Sequence, residues 1–429
     1  MVVYNIDSTI FGSSQAWGAL VDTVQYVPPL AGSQDYVWVE LLGPNLVSNG
    51  PIRFVNLQAQ LYYNQVGSWS LLAPYTDALW NMIQSGDFMV NINWRGLFSF
   101  GGKCEQPGYI DSIPGSTGGA GTQAGPFIQL SGADWLGIIA NHIVYPTPGA
   151  AWASQTAAGA DAITNLSLES AIKHYVNNNV GPSALASRRN SYLTLGTDLH
   201  RGPATISYTA KFGTGVDLNL MDVVRALIAQ GNTPFGVSIT RNAAAHNLVF
   251  DVYIPRNLTG KAWFSEQLGN LTAISFYITD PTCTDALVQG SGTSFVSRTA
   301  SNRTQWNIVE QFVDSSTETD ANNLATTAQQ TLLTGAAGPN MSATMADIPF
   351  LTFGRDYWLG DTVTVEVRPG ATYSDVISGV TLTADPTQTP EISAVPQIGN
   401  SSNATATNQT IIGQLLTRIR ALEKKLATK

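Results

Sequence analysis

Gly354-Arg355-Asp356-Tyr357-Trp358-Leu359-Gly360-Asp361-Thr362-Val363-Thr364-Val365 places a turn and the start of a strand side by side, and the rest of the chain can be read outward from it. Glycine accepts positive φ at no steric cost, and an adjacent aspartate can accept local backbone N–H groups. Gly360 and Asp361 are therefore expected to make a tight structural turn. Directly after them Val363, Val365 and Val367 alternate with Thr362, Thr364 and Glu366, the period of a half-buried strand. Val380 and Leu382 are expected to pair with it across a loop.

The same alternation recurs upstream. Tyr36-Val37-Trp38-Val39-Glu40-Leu41 and Phe88-Met89-Val90-Asn91-Ile92-Asn93-Trp94 read as strands. Leu248, Phe250, Val252 and Ile254 read as another, with Arg241 to Asn247 as a hairpin connection back to Val237 and Ile239. Helical spacing takes over in three places. Ser131 is expected to cap a helix carrying Trp135, Ile138, Ile139, His142 and Ile143, with Pro146 just beyond it. A second helix starts near Ser167, carries Leu168, Ala171, Ile172, Tyr175 and Val176, and stops at Gly181-Pro182. A third, capped by Asn219 and ended by Gly231, carries Leu220, Val223, Val224, Leu227 and Ile228. A fourth is expected from Asn322 to Leu333. The fold class is thus α+β, β-dominated.

With 429 residues, 44% of them hydrophobic and 12% charged, the chain exceeds what one core usually serves. No apolar run reaches the ~18 residues of a membrane-spanning helix, and the first residues lack the basic flank and apolar stretch of a signal peptide, so no export tag and no stable membrane insertion are expected. Cys104 and Cys283 are too few and too far apart for a disulfide framework or a cysteine zinc site. The formal charge is −9. Arg418, Arg420, Lys424, Lys425 and Lys429 oppose only Glu423 in the last nineteen residues, so that segment is +4 and the remainder −13. An acidic body has no footprint for gripping nucleic acid; it suits an acidic channel wall.

Residues 385–409 turn to Pro, Thr, Ser and Asn and are expected to be a linker. Beyond it Ile412, Ile419 and Leu426 fall at heptad position a, with Leu415 and Leu422 at d. A stripe so narrow needs partner helices, and an isolated helix of this length is marginal in water. Arg418 and Glu423, five apart, fall at g and e, where Arg418 of one helix can reach Glu423 of its neighbour. The run Arg418-Ile419-Arg420-Ala421-Leu422-Glu423 resembles the short trimerisation motif of three-stranded coiled coils. Isoleucine at a with leucine at d alone would favour a dimer, and the Arg and Glu pattern is given more weight.

The 354–365 stretch resembles the Tyr-x-Leu-Gly-Asp-x-Val-x-Val signature of tail-tip (baseplate) hub proteins, the minor tail proteins of siphophages that infect Gram-positive bacteria. Two further segments match in order: Ile128-Gln129-Leu130-Ser131-Gly132 leading to Pro146, and the Ser167 helix leading to Gly181-Pro182 and Arg188-Arg189. The resemblance implies a multi-domain structural protein in a homotrimeric ring, with two tail-tube-like β-barrel modules per chain. It further implies a distal tail protein or tail-tube ring above, a central fibre or spike and other minor tail proteins below, and viral DNA and tape measure passing through the lumen without specific binding. The location implied is the virion's tail tip, after assembly in the host cytoplasm. The corresponding partition is an N-terminal β segment or arm (1–50), a first β module (51–130), a helical insert (131–200), a second β module with a packed helix (201–300), a closing α/β segment (301–384), the linker (385–409) and the coiled coil (410–429).

No enzyme motif accompanies these features: there is no metalloprotease helix, nucleophile elbow, phosphate-binding loop or paired-cysteine zinc pattern. The glycines from Gly115 to Gly121 lack the strand-then-helix setting of a phosphate cradle. His142 on an apolar stripe reads as a hydrogen-bonded core residue, and His200 beside Asp198 and Arg201 as a polar loop. Asp314, Glu318 and Asp320 lack a calcium loop's spacing and precede a helix, whose dipole favours negative charge there. No catalytic residue, metal or cofactor is expected. The alternative is a receptor- or carbohydrate-binding tail protein, because ten Trp and fifteen Tyr could stack on sugars.

Overall fold

Strands dominate the chain. The computed structural model describes residues 36–84, 86–110, 126–156, 158–212, 218–316, 318–336, 338–348, 350–385 and 391–399. The first half holds β1 (Val37–Leu42), β2 (Ser48–Ile52), β3 (Asn56–Tyr62), β4 (Gln65–Pro74), α1 (Asp77–Gln84), β5 (Met89–Trp94), β6 (Phe98–Lys103), β7 (Gly108–Ile110), β8 (Phe127–Ala133), α2 (Gly137–Ala140), β9 (Asp161–Leu166), α3 (Leu168–Asn179), β10 (Leu193–Leu195) and β11 (Ile206–Ala210). The second holds α4 (Leu220–Gly231), β12 (Gly236–Asn242), β13 (Asn247–Tyr253), β14 (Trp263–Phe264), β15 (Leu271–Thr279), β16 (Asp285–Gln289), β17 (Phe295–Thr299), β18 (Glu310–Asp314), α5 (Ala321–Thr334), β19 (Gly338–Met345), β20 (Thr362–Arg368), β21 (Ala371–Ala384) and β22 (Ile392–Ile398).

The buried residues fall into three apolar clusters. The largest lies between the sheet β2-β1-β5-β6 and the sheet running β14-β20-β21-β3-β4-β8-β7. Each strand supplies alternate residues, as in Val37, Val39 and Leu41 of β1 or Leu57, Ala59 and Leu61 of β3. The two sheets approach closely where β6 meets β8: a Cβ on Gly102 would lie 1.9 Å from the Ala133 carbonyl oxygen and one on Gly132 2.1 Å from that of Lys103. Any side chain at either position would wedge the sheets apart. The second cluster gathers α2, α3 and α4 over β9, β11 and the sheet β10-β13-β12. The third is small, with Ala286 and Val288 of β16 packed on Leu324, Ala328 and Leu332 of α5.

Several expectations need correction. Val380 and Leu382 do lie in a strand, but β21 changes partner along its length: residues 371–376 pair with β20, whereas Val380 pairs with Leu61 and Leu382 with Ala59 of β3. Ser131 is no helix cap, because β8 continues through Ala133; Asp134 instead accepts the Leu136 N–H, and α2 has only four residues. The linker expected over 385–409 contains β22, which pairs along Ile377–Ala384. Its Ala394 and Ile398 are buried, and Pro396 is tolerated because β22 is an edge strand. At the end of α4, Asn232 rather than Gly231 takes the left-handed conformation, with φ +45°. No sheet closes among the described residues, so the two barrel modules are not present as closed barrels. The coiled coil and the 115–121 glycine run lie outside the described residues.

Candidate functional site

The 354–361 turn sits where the first and second clusters meet. Gly360 has φ +86°, its N–H donates to the Ile377 carbonyl at 2.8 Å, and a Cβ there would lie 2.4 Å from the Tyr63 ring. Asp361 is 1% exposed. Its carboxylate accepts from the Trp358 N–H (2.9 Å), the Arg256 N–H (2.6 Å) and the Arg256 guanidinium (2.6 and 3.0 Å). Nearby, buried Asp347 accepts from Tyr357 Oη (2.9 Å), the Phe353 N–H (3.1 Å) and Arg95 (3.2 Å). Burial raises the Asp347 carboxyl pKa, while the Tyr357 hydroxyl, the Phe353 N–H and Arg95 oppose the rise. Burial raises Tyr357 well above the usual phenol range. Phe353 stacks on Trp358 at 4.8 Å, with Phe98 edge-on to both. Asp361 thus accepts four hydrogen bonds and Asp347 three.

The two clusters are stitched by polar contacts from the β3–β4 hairpin tip. Asn64, at φ +53°, donates to the Phe235 carbonyl (2.8 Å) and accepts the Val237 N–H (3.0 Å). Tyr63 Oη donates to the same Phe235 carbonyl (2.8 Å), and Tyr253 Oη to that of Leu359 (3.1 Å). Burial pushes the Tyr63 phenol up to about 12.

A buried charge network lies inside the second cluster. Glu169 accepts from Lys173 Nζ (2.8 Å), Arg201 Nε (2.8 Å) and Nη2 (2.9 Å), and the Arg201 N–H (3.1 Å). Lys173 also meets Asp251 (2.8 Å) and the Gly196 and Thr197 carbonyls. Burial alone would raise the Glu169 carboxyl, but the bonds from Arg201 and Lys173 outweigh it and hold the group at about 2. The network pins α3 to β13 and to the 196–201 segment.

Beside it, Ser170, Asp198 and His200 come together as no sequence motif announced. Ser170 Oγ lies 2.6 Å from Asp198 and 2.8 Å from His200 Nδ1. A hydrolytic triad needs the histidine between serine and carboxylate, one ring nitrogen to each. Here the carboxylate also faces Nδ1, at 3.4 Å, and the imidazole is exposed. The cluster is tied to the start of α3, where Ser167 accepts the Ser170 N–H and donates its own hydroxyl to Ser170 Oγ.

His142 follows α2 and its Nδ1 lies 2.7 Å from the Ile138 carbonyl oxygen. Asp320 caps α5 by accepting the Asn322 N–H (2.8 Å), and buried Glu318 accepts from the Thr319 and Asp320 N–H groups and from Asn323. Asp314 accepts the Ser316 N–H (2.9 Å). Among the described residues no cluster of His, Cys, Asp and Glu could hold a metal. Cys104 and Cys283 are free and buried, and burial pushes the Cys104 thiol up to about 11, which leaves it unreactive. Ile412, Leu415, Arg418, Ile419, Leu422, Glu423 and Leu426 lie outside the described residues.

Asp134 carries a testable consequence. Burial pushes its carboxyl up to about 6, against the backbone N–H groups of Gly67, Leu136 and Gly137. The folded value exceeds the unfolded one, so its contribution is fully present below about pH 4 and is lost as pH rises through 6, a fall of about 3 kcal/mol. Asp134→Asn should flatten that fall, read as the wild type minus variant difference in urea-unfolding free energy from pH 4 to 7.

The outer surface of the largest sheet is polar and uncharged over a wide area. One row of register partners crosses five strands as Ser393, Thr383, Gln58, Ser70 and Ser131, and the next as Val395, Thr381, Gln60, Ser68 and Ala133. A groove of about 450 Å³ runs over this face, with Glu105 its one charged lining residue.

The fold is similar to that of solved tail proteins. The 43 kDa tail protein of prophage MuSo2 from Shewanella oneidensis superposes with TM-score 0.50 at 11% identity, covering 84% of this chain and 97% of that one. A tail protein from Neisseria meningitidis MC58 gives 0.47 at 11% identity (85% and 96% covered), and prophage tail protein gp18 from Listeria monocytogenes EGD-e 0.45 at 13% identity (89% and 99% covered). No curated protein matches the sequence. The model of the Siphovirus ReqiPepy6 Gp37-like protein family matches residues 39–400, almost all of the described body, and the chain belongs to that family.

Proposed function

We propose that this protein is the tail-tip hub of a siphophage, a non-catalytic part of the virion that joins the tail tube to a central fibre or spike as a homotrimeric ring. The observation that carries this reading is membership of a siphovirus family along the whole body, together with a fold shared with a prophage tail protein. In this reading Gly360 and Asp361 serve as a structural turn that fixes the junction between the two large clusters.

Passage of DNA without retention is supported by two features. The chain outside its last nineteen residues carries −13, and the Ser, Thr and Gln rows of the largest sheet hold no Lys or Arg that could release counterions. Trimerisation is assigned to Ile412, Leu415, Ile419, Leu422 and Leu426, with Arg418 and Glu423 bridging neighbours. Light scattering tests it: the full chain is expected at three times its 45.7 kDa mass and a chain cut after Gly399 at a lower multiple. A full-length monomer or dimer would sink the trimer. A trimer that survives the cut would move its cause to the body.

A further inference from the structure

The two faces of the sheet β17-β16-β18 are treated differently. On one, Ala286 and Val288 of β16 pack on α5. On the other, the register sets Leu287 between Ser297 and Phe312, and Gln289 between Phe295 and Asp314. β18 is an outer strand that pairs only with β16 among the described residues, and all its residues are exposed except Val313, which is half-buried. Its outer edge therefore presents backbone N–H and C=O groups without a ladder partner.

The charge pattern along this edge says what could fill it. Glu310, Phe312 and Asp314 alternate on the face away from α5. Glu310 has no ion-pair partner among the described residues, and Asp314 accepts the Ser316 N–H but meets no Lys or Arg there. Neither neighbouring arginine answers them. Arg303 is taken by Asp285 at 2.6 Å, and Arg298 is in register with Ala286, on the α5 side. Charges on an edge strand ordinarily guard it against pairing. A second β18 laid antiparallel about Phe312 would set Glu310 opposite Asp314 twice, and like charges directly opposite are destabilising. The β17 of a second copy offers Phe295, Ser297 and Thr299 on that face and no cation. A strand with Lys or Arg two residues to either side of an apolar residue answers all three positions. The carboxylates that repel a like strand thus select a basic one.

We propose that the free edge of β18 is a docking site for a strand of another polypeptide with the pattern basic-x-apolar-x-basic. The added strand lies about 4.8 Å away and completes the backbone ladder. Its apolar side chain covers Phe312, and its basic side chains face Glu310 and Asp314. Because the pattern is symmetric about Phe312, parallel and antiparallel strands both satisfy it. Affinity then comes from the main chain and specificity from alternate side chains. The proposal does not depend on where the protein sits in a virion.

A fluorescent peptide Thr-Lys-Thr-Val-Thr-Lys-Thr, and its counterpart with Glu at both Lys positions, test this on the full chain by polarisation titration. The Lys peptide should bind about 10-fold more tightly than the Glu peptide, with an affinity that falls as salt is raised. It should slow hydrogen exchange of β18 amides and leave those of β17 unchanged. Glu310→Lys combined with Asp314→Lys, both at exposed positions, should reverse the preference, and Phe312→Thr should weaken the Lys peptide about 3-fold; thermal unfolding verifies that each variant is folded. Equal affinity for the two peptides, no binding of the Lys peptide, an unreversed preference in the folded double variant, or protection that falls on β17 overturns the proposal. So does protection of β18 that grows with protein concentration in the absence of peptide, which would assign the edge to a second copy.

Discussion

Glu169→Gln is expected to destabilise the fold by about 3 kcal/mol at pH 7, because the substitution leaves buried Lys173 and part-buried Arg201 facing an uncharged amide. Lys173 keeps Asp251 and two backbone carbonyls, but Arg201 loses its bidentate partner and retains only the Val252 carbonyl. The pH dependence gives the same size by a separate route. The folded carboxyl is held near 2, below its ordinary value of about 4.3, so its stabilisation is complete above pH ~4.5 and is lost as pH falls toward 2, again about 3 kcal/mol. Urea unfolding of both proteins checks this. The gap should be widest near neutrality and close as pH approaches 2; a constant gap would mean that ionisation of Glu169 is not what holds α3 in place.

Gly360→Ala should cost at least as much, about 3–4 kcal/mol. Two penalties coincide. The residue sits at φ +86°, and the new methyl would meet the Tyr63 ring at 2.4 Å and Pro255 at 2.8 Å. Tyr63 cannot swing aside freely, since its hydroxyl is tied to the Phe235 carbonyl. Gly370, in the β20–β21 turn, serves as the control: its φ is +78°, yet a Cβ there meets nothing within 4 Å. Gly370→Ala should cost only the backbone term, about 1 kcal/mol. Thermal unfolding of both variants separates crowding from conformation. Equal losses would show that the contact with Tyr63 relaxes without cost.

The elements that could be read from sequence are those whose pattern is local. The stripe on α3 and its Ser167 cap, the Asn219 cap of α4 and the β12–β13 hairpin are found as expected; β20 is a strand, but Val363, Thr364 and Val365 are all buried, so its two faces are not divided by the Val/Thr alternation. Boundaries failed where two patterns abut. Only Asp134, Trp135 and Leu136 separate β8 from α2, so Ser131 looked like a cap when it is a strand residue. β22 was missed because its alternation, Ile392, Ala394, Pro396 and Ile398, is diluted by small residues and a proline. Sheet order could not be read at all, since β21 lies beside β3 only through contacts across more than 300 positions of the chain.

The charge network was half legible. Glu169 and Lys173 are four apart on one helix, a visible pair, but Arg201 stood in what read as a polar loop and Asp251 on the polar side of a strand. Nothing in their spacing says that the 193–201 segment folds back over α3. The same holds for Asp361, whose partner Arg256 is 105 residues upstream.

The pairing of β21 with β3 also sets an order of events during synthesis. β3 gains its second neighbour only when residues 379–384 have left the ribosome, which at cellular translation rates is ~16–65 s after β3 itself emerges. Through that interval the β3–β4–β8 ribbon has one bare edge, while the α3–α4 cluster, whose members span 42–252, can already be closed. The helical half is therefore placed to fold first and to hold the hairpin tip at Asn64 in position while its last strand is still being made.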